Sequence, residues 1–296
     1  METIYLSPSG LATLENCPRS YQFSRVLKVR TRQTSCHLGF GGAAGSAAEV
    51  FLRGTVRGQF VDPVPVFIKL WNEFCDRHHV RYKRGMSRER LQEIGVRLLT
   101  EFPDAWRKSG FTVALDRHGE PIVERKLRVN VGCGVVLVTK LDILVVDSDG
   151  NYVLLDLKTP GKETSVEFTL TADQLTAYQL ALQVYAQELG IGEISGVGYW
   201  ELLKKDLPKT TRGKGPEVLE PLVVRPRSDQ EIDQFVEKLH FAADNIRCKR
   251  FPKTPRMAYN TPCGACDELP LCLRGESEEF TFPDENSKRI ALSLAA

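Results

Sequence analysis

Apolar residues recur with two different periods along the chain, and the period separates predicted helices from predicted strands. The helices predicted from apolar residues at helical spacing are 7–26, 91–106, 172–189 and 232–246. Pro18 should interrupt the first of them, because proline lacks the backbone donor of a helix interior. Runs of β-branched residues predict strands within 122–158 and over 194–203. The mixture predicts an α/β fold, and no internal repeat is present.

A glycine-rich run begins at Gly39 and passes into small and apolar residues up to Leu52. It predicts a glycine loop that leads into a helix packed closely against a neighbour, and Glu49 rides on that helix. A second apolar helical pattern follows from Val66 to Phe74. Four arginines continue that spacing and predict a basic stripe: Arg77, Arg81, Arg84 and Arg88.

The composition is that of a globular chain able to bury a core, as one large domain or two small ones. Of 296 residues, 42% are hydrophobic and 26% are charged. The net charge is only +2, so nucleic-acid binding would depend on where the basic residues are placed. The candidate contacts are the arginine stripe with Lys83 and the loop residues Lys204, Lys205, Lys209, Arg212 and Lys214.

The first ten residues lack the basic flank and apolar core of a secretory signal. The longest apolar stretch, Val135 to Val146, is broken by Lys140 and Asp142. A cytoplasmic protein that does not span a membrane is therefore expected.

Two aspartates are predicted to face each other across a hairpin. A polar turn follows Val146, so this residue should pair with Tyr152, and the same register places Asp142 opposite Asp156. Like charges in opposed positions are destabilising, and a divalent cation would neutralise them. The alternative is that both aspartates lie on the solvent-exposed face of the hairpin, although the apolar residues around them favour buried strands.

The hairpin turn also imitates the start of a calcium-binding loop, with Asp147, Asp149 and Asn151 at alternate positions. This interpretation fails, because Gly150 comes too early and Lys158 occupies the place of the required glutamate.

Eight cysteines without an export signal argue for free thiols in a reducing compartment, and hence for a bound metal. Cys263-Gly-Ala-Cys266 and the following Cys272 supply three thiols near the C-terminus. A fourth ligand is needed for a tetrahedral zinc or a cubane cluster, and Cys17 is the candidate. Spacing alone leaves both metals open. The remaining cysteines are predicted to be small buried hydrophobic side chains: Cys36, Cys75, Cys133 and Cys248.

The hairpin and the helix after it resemble the PD-(D/E)XK nuclease superfamily, in its RecB-like branch. The resemblance rests on Asp142, on the Asp156-Leu-Lys158 tripeptide, on the Gln174 to Tyr178 spacing, and on Gly45 followed four residues later by Glu49. Two departures are Thr139, where this branch usually has glycine, and Glu49, where many members have histidine.

The resemblance implies a restriction-endonuclease-like core, in which a central mixed β-sheet is flanked by helices. It implies that Glu49, Asp142, Asp156 and the Leu157 carbonyl hold Mg²⁺ or Mn²⁺, and that Lys158 acts on the attacking water or the phosphate. Gln174 and Tyr178 lie one helical turn apart, so both can face the site, although ordinary helix packing is an alternative for Tyr178.

The cysteines are independently similar to those of the iron–sulfur members of this branch, which include the AddB nuclease and the CRISPR-adaptation nucleases. There, one N-terminal and three C-terminal cysteines hold a [4Fe–4S] cluster. The resemblance therefore implies that Cys17, Cys263, Cys266 and Cys272 bind such a cluster, which joins the N- and C-terminal segments. A phage origin is compatible with it.

The implied organisation has four parts. These are an N-terminal segment with the first cluster cysteine (1–44), a helical region that contributes Glu49 (45–120), a nuclease core (121–250) and a cysteine-rich segment with the tail (251–296).

The implied function is hydrolysis of DNA, as an exonuclease in replication, recombination or repair, on single strands or duplex ends. A helicase or recombinase is an expected partner. Two alternatives stay open: a non-catalytic nucleic-acid-binding module that keeps the fold and the cluster, and a zinc-stapled binding protein without an active site.

Overall fold

The computed structural model describes residues 2–208, 213–254 and 261–295. The chain divides into two compact units, one made of Met1–Thr34, Asn130–Val138 and Asp233–Ala296, the other of Ser35–Val129 and Thr139–Ile232. The helices are α1 Pro8–Asn16, α2 Pro18–Tyr21, α3 Cys36–Val56, α4 Pro63–Arg77, α5 Arg88–Ser109, α6 Val166–Thr171, α7 Asp173–Leu189, α8 Asp229–Arg247, α9 Leu269–Arg274 and α10 Glu285–Ser293. The strands are β1 Ile4–Leu6, β2 Arg30–Thr31, β3 Gln33–Ser35, β4 His79–Arg81, β5 Thr112–Val113, β6 Val123–Asn130, β7 Val135–Val146, β8 Tyr152–Lys158, β9 Ile194–Leu203, β10 Glu217–Val218, β11 Leu222–Val224 and β12 Phe280–Thr281.

The Ser35–Val129 and Thr139–Ile232 unit contains a mixed sheet with β8 between β7 and β9. Strand β8 pairs antiparallel with β7 and parallel with β9, whose other partners β10 and β11 run antiparallel to it. Helices α3 and α7 both contact β8. The α/β fold with a central mixed sheet flanked by helices is confirmed for this unit.

The two faces of the hairpin β7–β8 have different partners. Ile143, Val145, Val153 and Leu155 belong to a buried core shared with α3, α4 and α5. Because side chains alternate along a strand, Asp142 and Asp156 lie on the opposite face.

Helix α3 begins earlier than predicted, since the glycine-rich run is helical and not a loop. Its N-cap is Ser35, whose Oγ accepts a hydrogen bond from the backbone N–H of His37 at 3.3 Å. A side chain at Gly39 would overlap the Phe74 ring, with its Cβ only 2.1 Å from Cε1. Close packing of α3 against α4 therefore uses a glycine, and this packing overrides the low helix propensity of the run.

The predicted arginine stripe does not lie on one helix. Helix α4 ends at Arg77, since His78 is extended (φ −127°, ψ 146°), and Arg81 lies in β4. Gly85, with φ +82°, turns the chain before α5 begins at Arg88. Arg88 donates to Asp76 and Asn72 within the same unit, so its role is structural. The stripe prediction was wrong.

The predicted basic loop is only partly available to a ligand. Lys204 is buried, and Lys205 pairs with Glu217 at 2.8 Å between Nζ and Oε1. Lys214 is exposed. Lys209 and Arg212 lie outside the described residues.

The other unit brings residues from the two ends of the chain into one core. Ser7 caps α1, Cys17 is extended (φ −160°, ψ 107°), and Pro18 starts α2, which confirms the predicted interruption. The core of this unit is formed by Phe23, Leu27, Val29, Leu271, Phe280 and Ala291. Strand β1 pairs in parallel with the first residues of β7, and β12 pairs with β2.

Two of the cysteines without metal-ligand spacing are not buried, contrary to the prediction. Cys133 and Cys248 are exposed, whereas Cys36 is buried and Cys75 is half-buried. Across the described residues, we find no helix whose length and apolar character would let it cross a membrane.

Candidate active site and cysteine cavity

The two aspartates of the hairpin lie side by side, as the register predicted. Ile143 pairs with Leu155 and Val146 with Tyr152, so Asp142 and Asp156 are the next opposed positions, and their side chains interact directly. The Oδ2 atom of Asp142 accepts a hydrogen bond from the backbone N–H of Leu157 at 2.9 Å. This bond fixes the Asp142 carboxylate beside the end of β8.

Lys158 completes the cluster at the end of β8. Its Nζ atom lies 2.7 Å from Oδ2 of Asp156, and the lysine side chain is 40% exposed whereas Asp156 is fully buried. The buried Asp156 carboxylate therefore contacts the partly exposed ammonium of Lys158, which can also contact a ligand.

Both aspartates resist ionisation. Burial raises the pKa of Asp142, although Lys158 and the Leu157 N–H oppose this effect. Burial, and then the charge of Asp142, raise the pKa of Asp156 to about 7, although Lys158 opposes them. Two carboxyl groups that are costly to ionise together form a site that a divalent cation would relieve.

Gln174 and Tyr178 of α7 face the aspartates. The Nε2 atom of Gln174 donates to Oδ1 of Asp156 at 2.9 Å and lies 2.7 Å from the Tyr178 hydroxyl. Burial, and then the charges of Asp156 and Asp142, raise the pKa of Tyr178. The tyrosine therefore stays neutral and orients Gln174, and through it the carboxylate.

Glu49 is not brought into the aspartate pair. Its Oε1 atom accepts from Nε of Arg53 at 2.9 Å, and Nη2 of Arg53 also donates to the Val123 carbonyl. Within the described ranges, no three His, Cys, Asp or Glu side chains converge on one ion position. Glu49 would have to leave Arg53 to become a ligand, and the spacing of four residues on one helix favours their ion pair.

The donor chemistry of the hairpin fits Mg²⁺ or Mn²⁺. These ions prefer carboxylate and carbonyl oxygens, which Asp142, Asp156 and the Leu157 carbonyl supply. The raised pKa of the aspartates is the observation that favours a cation here, because bound positive charge would stabilise both carboxylates.

All four candidate cluster cysteines line one cavity in the unit that contains both ends of the chain. The cavity has a volume of about 50 Å³, and Phe23, Leu269 and Leu273 contribute apolar walls. The thiols that line it are Cys17, Cys263, Cys266 and Cys272. In the described part of the chain they do not converge as the ligands of a single ion would.

A cation lines this cavity with two nitrogens that no described residue satisfies. The Nε and Nη1 atoms of Arg19 are buried, and among the described residues they have no hydrogen-bond partner. A cluster held by four thiolates carries negative charge, which a guanidinium would offset.

The cysteines differ in how readily they ionise. Although burial raises the pKa of Cys17, hydrogen bonds from Thr254, Ser20 and Arg19 outweigh it and lower the value overall. Burial, and then Glu268, raise the pKa of Cys266 to about 12. Cys17 is thus the better thiolate of the two before a metal binds.

Several site residues were absent from the sequence prediction. Arg53 lies four residues after Glu49 on α3, a local spacing that favours their ion pair, whereas the approach of Arg19 to the cysteine cavity depends on tertiary placement. His37 was also missed, although it directly precedes the glycine-rich run that approaches Lys158.

The model of the PD-(D/E)XK nuclease superfamily matches residues 5–273. A solved structure titled "Crystal structure of SSO0001" is 12% identical, with 92% of this chain and 87% of that chain covered and a TM-score of 0.40. The search of curated proteins gives no match. The family match spans most of the chain and includes the aspartate pair, Lys158 and all four cavity cysteines. The chain belongs to the PD-(D/E)XK nuclease superfamily, whose members are generally metal-dependent nucleases.

Proposed function

We propose that the protein is a metal-dependent DNA nuclease that acts as an exonuclease and carries a structural [4Fe–4S] cluster. The observation that carries the nuclease proposal is the Asp142–Asp156 pair, in which Asp156 is fully buried and its Oδ2 lies 2.7 Å from Nζ of Lys158. Family membership supports it, since nucleic acid is the substrate of this superfamily.

In this proposal Asp142, Asp156 and the Leu157 carbonyl hold Mg²⁺ or Mn²⁺, and Glu49 adds a ligand when it leaves Arg53. The bound ion supplies Lewis acidity, which orients the scissile phosphate and lowers the pKa of the attacking water.

The side chains around the pair each have a separate task. Lys158 is partly exposed, so its ammonium can reach a phosphate oxygen or the attacking water and stabilise charge that develops there. Gln174 holds Oδ1 of Asp156 and leaves Oδ2 toward Lys158. Tyr178 positions Gln174 without contacting the substrate.

The cysteine cavity supports the cluster proposal through its four thiols and the unpaired Arg19 atoms. The task of the cluster is structural, because its four cysteines come from both ends of the sequence. Zinc is the competing occupant, and colour separates the two: an iron–sulfur protein purified without oxygen is brown, whereas a zinc protein is colourless.

The cellular setting that follows is DNA replication, recombination or repair in the cytoplasm, beside a helicase or recombinase that supplies strand ends.

The test is an end-labelled cleavage assay on anaerobically purified protein, with single- and double-stranded DNA and with Mg²⁺, Mn²⁺ or chelator. We expect products only with a divalent ion, shortened progressively from an end. Tight DNA binding without cleavage under any metal would favour the non-catalytic module and overturn the proposal.

A further inference from the structure

A second cavity, of about 230 Å³, lies between α3 and the end of β8. Lys158 and Thr159 line it from the strand side, and His37, Gly42 and Gly45 are among the residues that line it from α3. Lys158 is the one formally charged residue among the described lining residues, and no carboxylate is found there. The cavity is therefore suited to an anion. Its cation, Lys158, also belongs to the proposed active site.

His37 offers this cavity a polar group without a partner. Both ring nitrogens are buried, and neither has a hydrogen-bond partner within the described ranges. Buried polar atoms are rarely left in this state unless a water or ligand satisfies them. Burial, and then Lys204 and Lys83, lower the pKa of His37, so the ring is neutral and presents one donor and one acceptor.

The surroundings of His37 are electropositive. Lys204 is 8% exposed, and its Nζ lies 4.8 Å from the centroid of the Phe40 ring. Phe40 belongs to α3, the helix that also carries His37. Burial lowers the pKa of Lys204 to about 8, which leaves the side chain mostly protonated at neutral pH. His37 itself lies in the first turn of the 21-residue α3, where the helix dipole favours negative charge.

The glycines of α3 keep this cavity open. A Cβ atom at Gly42 or Gly45 would meet nothing within 4 Å, in contrast to Gly39, where one would overlap Phe74. The glycine-rich run thus serves packing on one side and leaves room for a ligand on the other.

We propose that this cavity binds a phosphate group of the nucleic-acid strand next to the phosphate that is cleaved, with His37 as a hydrogen-bond donor to it. The proposal rests on the nuclease function above and adds a substrate-positioning residue to it. The phosphate is either terminal or internal, and both sources share the same chemistry.

The test uses Gly42, where a side chain can enter the cavity without a clash. Gly42→Asp places a carboxylate there, and Gly42→Asn is its neutral counterpart of similar size and helix propensity. In chelator and at constant ionic strength, inorganic phosphate should raise the melting temperature of the wild type saturably, relative to chloride. We expect apparent phosphate affinity to be about tenfold weaker for Asp than for Asn at this position. Equal affinities, or no phosphate effect on the wild type, would overturn the proposal.

Oligonucleotides labelled at the 3′ end distinguish the two phosphate sources, in chelator so that nothing is cleaved. A preference for a 5′-phosphate over a 5′-hydroxyl that Gly42→Asp removes identifies a terminal phosphate. Equal weakening of both substrates by Asp relative to Asn identifies an internal one. Equal binding of both substrates by the Asp and Asn variants contradicts either source.

His37→Gln gives a second readout, because glutamine keeps a donor and an acceptor whereas His37→Ala has neither. We expect Gln to retain more phosphate affinity than Ala, with similar melting temperatures without phosphate. Equal phosphate affinities in these two variants would remove His37 from the site. Phosphate binding without cleavage of any substrate in Mg²⁺ or Mn²⁺ would instead overturn the nuclease function, so the two failures are distinguishable.

Discussion

The aspartate hairpin and the cysteine cavity are built in opposite ways. Asp142, Asp156 and Lys158 come from one hairpin, are ionisable, and contact each other or adjacent backbone around the fully buried Asp156. The cysteines come from positions 17 and 263–272, line an apolar cavity and remain separate. A metal at the hairpin enters a site that local register has already formed, whereas a cluster at the cavity closes a very long loop. Loss of the metal at the hairpin should lower the cleavage rate, whereas loss of the cluster should lower the stability of the fold.

The largest expected effect is on cleavage in Asp156→Asn. The change keeps the size of the side chain but removes a carboxylate ligand, so we expect the cleavage rate to fall roughly a thousandfold or more. The measurement is single-turnover cleavage of end-labelled DNA in Mg²⁺. Asp149→Asn, in the exposed hairpin turn, is the control and should cleave normally. Wild-type rates in Asp156→Asn would remove this residue from the active site.

Lys158→Ala should lower the turnover number about a hundredfold or more and DNA affinity by a much smaller factor, because its ammonium stabilises charge in the transition state and also lines the proposed phosphate cavity. Turnover and DNA affinity are measured separately, the second in chelator. Lys126→Ala, an exposed lysine on β6, is the matched control. A loss of affinity with unchanged turnover would assign Lys158 to substrate binding.

Cys17→Ser should show the opposite pattern. We expect loss of iron and sulfide and a melting temperature lower by on the order of 10 °C, because metal binding free energy is folding free energy here. Cleavage per folded molecule should be retained. The measurements are metal and sulfide analysis with thermal melts, and the control is Cys248→Ser, an exposed cysteine away from the cavity. A full iron and sulfide content in Cys17→Ser would place the fourth ligand elsewhere.

Glu49→Gln should have a smaller effect than Asp156→Asn. Because Arg53 already pairs with Glu49, we expect about a tenfold fall in cleavage rate, offset in part by higher metal concentration. A metal titration of the cleavage rate measures this. A loss as large as that of Asp156→Asn would show that Glu49 leaves Arg53 fully and is an equal ligand.

The smallest effect concerns the stability of the metal-free protein. The pKa of the Asp156 carboxyl is about 4 in the unfolded chain and about 7 in the folded protein. Its ionisation therefore opposes folding increasingly as pH rises between these values. Asp156→Asn removes this cost. Its melting temperature in chelator should exceed that of the wild type by a few degrees at pH 8, and by less at pH 5. A larger difference in melting temperature at pH 5 than at pH 8 would contradict a raised pKa of Asp156.

The hairpin site could be predicted from sequence because its geometry is local. The turn after Val146 sets the register, which runs to Ile143 and Leu155 and makes Asp142 and Asp156 the next opposed positions. The interruption at Pro18 was equally predictable, since it follows from one residue's backbone chemistry.

Features that depend on tertiary contacts could not be predicted. The approach of Arg19 to the cysteine cavity is one of them, whereas the pairing of Glu49 with Arg53, one turn further along α3, follows from a local spacing. The arginine stripe failed because α4 ends at Arg77, where His78 is extended, and the glycine-rich run is helical because Phe74 packs on Gly39. The burial of Lys204 beside Phe40 could likewise not be predicted, because its sequence neighbours are those of a basic loop.

Binding of Mn²⁺ tests the central claim most directly, namely that the Asp142–Asp156 pair is a divalent-cation site. Titration calorimetry at pH 8 on the anaerobically purified wild type, Asp142→Asn, Asp156→Asn and Asp149→Asn measures the affinity of each. The account predicts one or two ions bound by the wild type and by Asp149→Asn, and an affinity at least about tenfold weaker in either hairpin-pair variant. Undiminished Mn²⁺ binding in both pair variants would contradict it.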